Sequence, residues 1–135
     1  MSLAPSVAAG QALEVGAALR ARPATEPLAE AIIEAMAAHY RGGPDRFAIA
    51  LVTENPGLRG EYLKTFESLE QVLAQAIAGR TGADPRADLA PRVLAAAVAA
   101  AARVAAEHWQ QADASNSFAD VLREALARLA PALGG

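Results

Sequence analysis

Residues 89–111 read LAPRVLAAAVAAAARVAAEHWQQ, and the fold follows from how this stretch is read. It holds no glycine, and its one proline, Pro91, falls in a first turn, where a missing N–H costs nothing. Alanine has the best intrinsic helix propensity. At 1.5 Å rise per residue the segment is a helix roughly 35 Å long. Asp88 is placed to cap it. From Val93 to Ala102 every side chain is apolar, and seven of the ten are alanine. Small side chains all round let other backbones come close on more than one face. We read this helix as a central post, packed on one side by its own chain and on another by a second copy.

The composition sets the class. One domain of 135 residues is long enough to bury a core. Hydrophobic residues make up 53% and aromatics only 4%, so aliphatics and alanine form that core. The absence of alternating runs points to an all-α fold. Net charge is −3, and the 12 basic residues are dispersed, so this chain alone is not expected to bind DNA. With no cysteine there is neither a disulfide framework nor a thiolate metal site. The N-terminus lacks the basic region of a signal peptide. The run Val93–Ala102 is half the roughly 20 residues a membrane span needs, and Arg92 and Arg103 bracket it. A cytoplasmic protein with no membrane partner is expected, and Met1-Ser2-Leu3 resembles a cloning remnant.

The helices outside the central one read in order. Residues 5–21 form a first helix with a sparse stripe of Val7, Leu13 and Ala17, weakened by Gly10 and Gly16. Thr25 is placed to cap a second helix that starts with Pro27 and carries Leu28, Ile32, Met36 and Tyr40. Gly42-Gly43 stops it. A short third helix, 44–54, bears Phe47, Ile49, Leu51 and Val52. Asn55-Pro56 ends one helix and starts the next. In the fourth, 56–78, Tyr62, Phe66, Leu69, Leu73 and Ala76 repeat at helical spacing. After the polar link 113–117, Ser117 and Asp120 form a weakened capping box for a sixth helix. Its stripe is Phe118, Val121, Leu122, Ala125, Leu126 and Leu129, and it is expected to run to Leu133.

Nothing in the sequence calls for catalysis. His39 and His108 lack partners at metal-ligand spacing, so neither a metal site nor a cofactor is expected. No serine lies in a nucleophile elbow. Arg103 is the only charge between Arg92 and Glu107. It is either a rim charge paired with Glu107 at i+4 or an internal cation for a ligand carboxylate. Tyr40, Phe47, Tyr62, Phe66 and Trp109, with Met36 and Leu51, either fill the core or line a pocket. Pockets between bundle helices are mostly apolar with a few polar tips, which two phenols and an indole N–H supply.

The run from Leu51 to Trp109, with its helix junction at Asn55-Pro56, Leu58-Arg59, Thr81-Gly82, Asp84-Pro85 and the alanine-rich helix ending Glu107-His108-Trp109, resembles the C-terminal half of TetR-family transcriptional regulators. The resemblance implies a six-helix effector-binding and dimerisation domain spanning 1–135. Residues 5–21 would be a linker helix, 25–78 pocket helices and 89–133 dimerisation helices. It implies a homodimer whose last two helices form an intersubunit four-helix bundle, here through Ala97, Ala101, Phe118, Val121, Leu122, Ala125, Leu126 and Leu129. It further implies a small-molecule effector near Met36, Tyr40, Phe47, Tyr62 and Trp109. DNA would be bound only through a helix-turn-helix, which this chain lacks. The alternatives are a free-standing dimerisation module with a full core and a small-ligand carrier. An enzyme using the same cavity ranks last.

Overall fold

A computed structural model describes residues 4–40, 46–111 and 117–134, and within them the side chains of 12–40, 49–111 and 117–134. Six helices and no strand occur among the described residues. They are α1 Ala4–Ala21, α2 Leu28–His39, α3 Arg46–Glu54, α4 Pro56–Thr81, α5 Leu89–Gln111 and α6 Phe118–Ala127. The expected glycine stop at Gly42-Gly43, the link 113–116, Met1-Ser2-Leu3 and the side chains of Val7 and Phe47 lie outside the described residues.

α4 and α5 form the centre. α1 packs chiefly on α4, α6 on α5 and α2, and α3 crosses both central helices. The core joins Val15 and Leu19 of α1, Ile32 and Met36 of α2, Leu73 and Ile77 of α4, Val98 of α5, and Leu122 and Leu126 of α6. By length and composition α5 could cross a membrane, despite Arg92 and Arg103. Here its Ala95, Val98, Ala99, Ala102, Ala105 and Ala106 are buried against neighbouring helices, so its apolar character serves the core.

The junctions of α4 are built by local chemistry. Asn55 accepts a hydrogen bond from the Gly57 N–H at 3.0 Å, with Pro56 in the first turn, as the sequence leads one to expect. At the other end Gly82 adopts a left-handed conformation (φ 74°), and the Gly82 and Ala83 N–H groups donate to the Ala78 carbonyl.

Elsewhere the local signals give way to packing. Thr25 does not cap α2; Pro27 holds that position with no side-chain hydrogen bond. The turn before α2 is instead fixed from α4. The Arg80 guanidinium donates to the carbonyls of Arg22 (3.2 Å), Pro23 (3.1 Å) and Glu26 (2.9 Å), and Arg22 pairs with Glu26. Asp88 turns its carboxylate back to the Asp84 N–H at 2.8 Å. α6 stops at Ala127 rather than Leu133, because a proline ring clashes with the carbonyl four residues before it, and Pro131 sets that limit at Ala127. The chain continues in turns that fold Leu133 back into the core. Ser117 does cap α6, accepting from the Asp120 N–H at 3.1 Å.

α1 buries a different face from the one its sequence suggests. Leu13 is 62% exposed and Ala17 is exposed, while Ala12, Val15, Gly16 and Leu19 face inward. Gly16 is the reason. A β-carbon built there would lie 2.4 Å from Cγ1 of Val72, so the glycine lets α1 lie directly on α4. Valine is stiff at χ1 and has little room to yield.

Three residues expected at the subunit interface are likewise placed otherwise. Phe118, Leu122 and Leu126 are enclosed by their own chain, because the α6 stripe is spent on α5 and α2. Ala97, Ala101, Val121, Ala125 and Leu129 are half-buried. What stands outward on α5 is a line of Leu89, Val93, Ala97, Ala100 and Val104, with Leu89, Val93 and Val104 each more than half exposed.

Two predictions follow from these contacts. Gly16→Ala, which would stabilise an isolated helix by about 1 kcal/mol, should instead destabilise this one by roughly 1–3 kcal/mol of overpacking. Val72→Ala should restore the melting temperature of Gly16→Ala; a Gly16→Ala protein that melts higher would contradict the close crossing. Separately, Arg123 donates to Glu34 at 2.6 Å, tying α6 to α2. That hydrogen bond is the main cause holding the Glu34 carboxyl below its ordinary 4.5. The pair's stabilisation is therefore present above the ordinary carboxylate pKa and is lost as pH falls through the lowered folded value. Both groups are more than one third exposed, so Glu34→Gln should cost about 1 kcal/mol or less at neutral pH. Melting curves of the two proteins should converge as pH falls through the lowered Glu34 value.

Candidate ligand-binding site

The small residues that let the helices approach also leave space between them. A partly open cavity of about 170 Å³ lies where five helices and the residue after α2 meet. α4 supplies Tyr62, Thr65, Phe66 and Leu69, which recur at helical spacing along one face. α5 supplies Ala102 and Ala106, one turn apart, whose methyl groups reach too little to fill the gap. Ala12 of α1, Ile49 of α3, Phe118 of α6 and Tyr40, just past α2, complete the wall. A larger groove of about 590 Å³ runs over α4 and the start of α5, but Glu67, Gln71, Gln75, Arg86 and Arg92 there are solvent-exposed. The smaller, apolar cavity between the helices is the better candidate for a small organic ligand.

Aromatic rings set the shape of the wall. Tyr62 and Phe66 meet edge to face at 5.2 Å, and Tyr40 meets Phe118 likewise at 5.8 Å. Trp109 meets Phe118 edge to face with ring centroids 5.6 Å apart, and His39 sits edge-on to Tyr40 at 4.8 Å. Such pairs are favoured by the ring quadrupoles and hold the wall in one arrangement.

The polar groups are few and mostly engaged. The Thr65 hydroxyl donates to the Tyr62 carbonyl at 2.6 Å. The Tyr62 hydroxyl donates to Glu107 Oε2 at 3.4 Å, a long bond, and Arg103 donates to the same oxygen at 3.2 Å. Burial, then the Glu107 carboxylate, pushes the Tyr62 phenol well above its ordinary pKa. Burial alone does the same to Tyr40. Both phenols therefore stay protonated at neutral pH and remain donors. No charged side chain lines the cavity among the described residues. His39 Nδ1 lies 3.5 Å from Glu14 on α1, and no group of three metal-ligating side chains occurs among the described residues.

The structure brings together part of the set picked from sequence. Tyr40, Tyr62 and Phe66 line the cavity. Met36 is fully buried in the core beside it and does not reach it. Leu51 is 50% exposed, because α3 turns Ile49 inward, and two residues along a helix point nearly opposite ways. Arg103 pairs with Glu107 outside the wall, so the rim-charge reading holds and the internal-cation reading does not. Trp109 supports Phe118 from behind. The side chain of Phe47 lies outside the described residues. Sequence reasoning missed Ala12, Ile49, Thr65, Leu69, Ala102, Ala106 and Phe118. The alanine pair at i and i+4 was the available signal, since a cavity needs small residues facing large rings.

Comparison with known proteins agrees with this architecture. A TetR C-terminal family, described as the MftR C-terminal domain, matches residues 22–134. The HTH-type transcriptional regulator TcmR of Streptomyces glaucescens is 42% identical over 59 residues, which is 44% of this chain and 26% of that protein. The matched part is thus about a quarter of that regulator's length. With the family match running over most of the chain and the six-helix all-α fold in place, the chain belongs to the TetR family of transcriptional regulators, as a C-terminal domain.

Proposed function

We propose that this domain senses a small apolar or amphipathic molecule in the interhelical cavity and passes the result to a helix-turn-helix that lies outside these 135 residues. The observation that carries the reading is the cavity wall itself: Ala12 of α1 and four residues of α4 share one largely apolar cavity. α1 would be the linker helix to the DNA-reading part. It is fastened to α4 at Gly16–Val72, and the turn after it is fastened by Arg80. A molecule in the cavity touches both helices, so it favours whichever α1–α4 arrangement gives it the better contacts. It shifts that equilibrium only as far as its two affinities differ. The described lining has no carboxylate, imidazole or amine, which supports binding rather than turnover.

The second half of the proposal is a homodimer built on the outward line of α5. Leu89, Val93 and Val104 are exposed apolar side chains, and Ala97 and Ala100 between them allow a second helix to approach closely. Val121, Ala125 and Leu129 of α6 would flank it.

Two measurements test the proposal. Toluene-saturated buffer should raise the melting temperature of this chain, and Ala106→Leu, which fills the cavity, should abolish the rise. A rise that survives in Ala106→Leu would place the ligand elsewhere. For the dimer, Val93→Glu with Val104→Glu should give folded monomers by light scattering and circular dichroism, since both positions are exposed. A dimer that persists in this variant would contradict the α5 interface.

A further inference from the structure

The dimensions and chemistry of the cavity narrow what fits it; this inference rests on the reading of the cavity as an effector site. A dry cavity of roughly 150 Å³ accommodates benzene. At about 170 Å³, this one holds a single ring with a short substituent. Effector pockets of drug-sized ligands start at roughly 300 Å³, so a fused polycyclic molecule does not fit this arrangement.

Charge is excluded by what surrounds the cavity. Its described lining is uncharged. The neighbouring Arg103 is already donating to Glu107, so an anion there would lie near a carboxylate. A cation would have to take Glu107 from Arg103. Moving an unpaired charge from water into an apolar cavity is strongly unfavourable either way.

One donor is left over. The Tyr62 proton goes to Glu107 and the Thr65 proton to the Tyr62 carbonyl. Tyr40 is half-buried and lines the cavity, and its hydroxyl donates to no other described residue. A half-buried hydroxyl that donates to no protein group gains a hydrogen bond when a ligand acceptor reaches it. We propose that the cavity takes a neutral, single-ring-sized molecule bearing one hydrogen-bond acceptor, such as an aryl ketone, with Tyr40 as the donor that recognises it.

The test uses four probes of one ring size: acetophenone, ethylbenzene, benzoate and benzylammonium. Each is titrated calorimetrically against this chain and against Tyr40→Phe, which keeps the ring that packs on Phe118. Acetophenone should bind, with ethylbenzene roughly three- to tenfold weaker, the worth of one neutral hydrogen bond. In Tyr40→Phe the two should bind alike. Benzoate and benzylammonium should be on the order of a hundredfold weaker or worse. Survival of the acetophenone advantage in Tyr40→Phe would overturn the role of Tyr40. Binding of a charged probe as tight as that of acetophenone would leave the site standing and overturn the ligand class. If none of the four binds, the ligand class and the effector-site reading fall together.

Discussion

The close approach of α1 and α5 to α4 is the constraint from which the rest of the structure follows. Gly16 permits one crossing, and the alanines of α5 permit the other. Helices brought together by such small side chains need few large residues to seal the space between them, and with aromatics at 4% the chain has few to offer. Four of those it has are gathered in one place. Tyr40, Tyr62, Phe66 and Phe118 surround a cavity that Ala102 and Ala106 do not fill. A leucine at either alanine would close it. The cavity is thus the consequence of the same composition that makes α5 the central helix, and its apolar, uncharged lining follows from the same source.

Arg80 gives the bundle a second kind of constraint. Its three bonds to main-chain carbonyls tie the end of α4 to the turn between α1 and α2. Charge-assisted bonds to carbonyls are among the stronger hydrogen bonds a protein makes. The α1–α4 pair is therefore held at Arg80 and crossed tightly at Gly16, with the cavity bordering Ala12, further toward the start of α1. In the proposed mechanism a ligand would act on α1 beyond these two fixed points, at Ala12.

Much of the fold was legible in the residues. The bounds of α5, the Asn55-Pro56 junction and the Ser117 cap follow from propensity and capping chemistry that act within a few residues. The face of α1 was not legible, because its contact is made by Gly16, which a sequence reading scores as a weakness rather than a surface. Thr25 and Asp88 carry ordinary capping signals that partners elsewhere overrode: Arg80 organises the turn before α2, and Asp84 takes the Asp88 carboxylate. In the site, the Tyr62–Phe66 face of α4 was visible from its spacing. Ile49 and Leu51 could not be told apart, since a nine-residue helix with apolar side chains on most positions has no clear phase. Phe118, Leu122 and Leu126 formed a true stripe that was assigned to the wrong neighbour. Periodicity shows that a face is buried, not what buries it.

The central claim is that a molecule in the cavity changes how α1 lies on the bundle. The chain has no cysteine, so Leu13→Cys, at an exposed position on α1, carries a single spin label. The label-to-label distance across the dimer would be measured by pulsed electron resonance with and without saturating acetophenone. The account predicts a shifted distance or a redistribution between two distances. An unchanged distribution, with the probe shown by calorimetry to be bound, would contradict it.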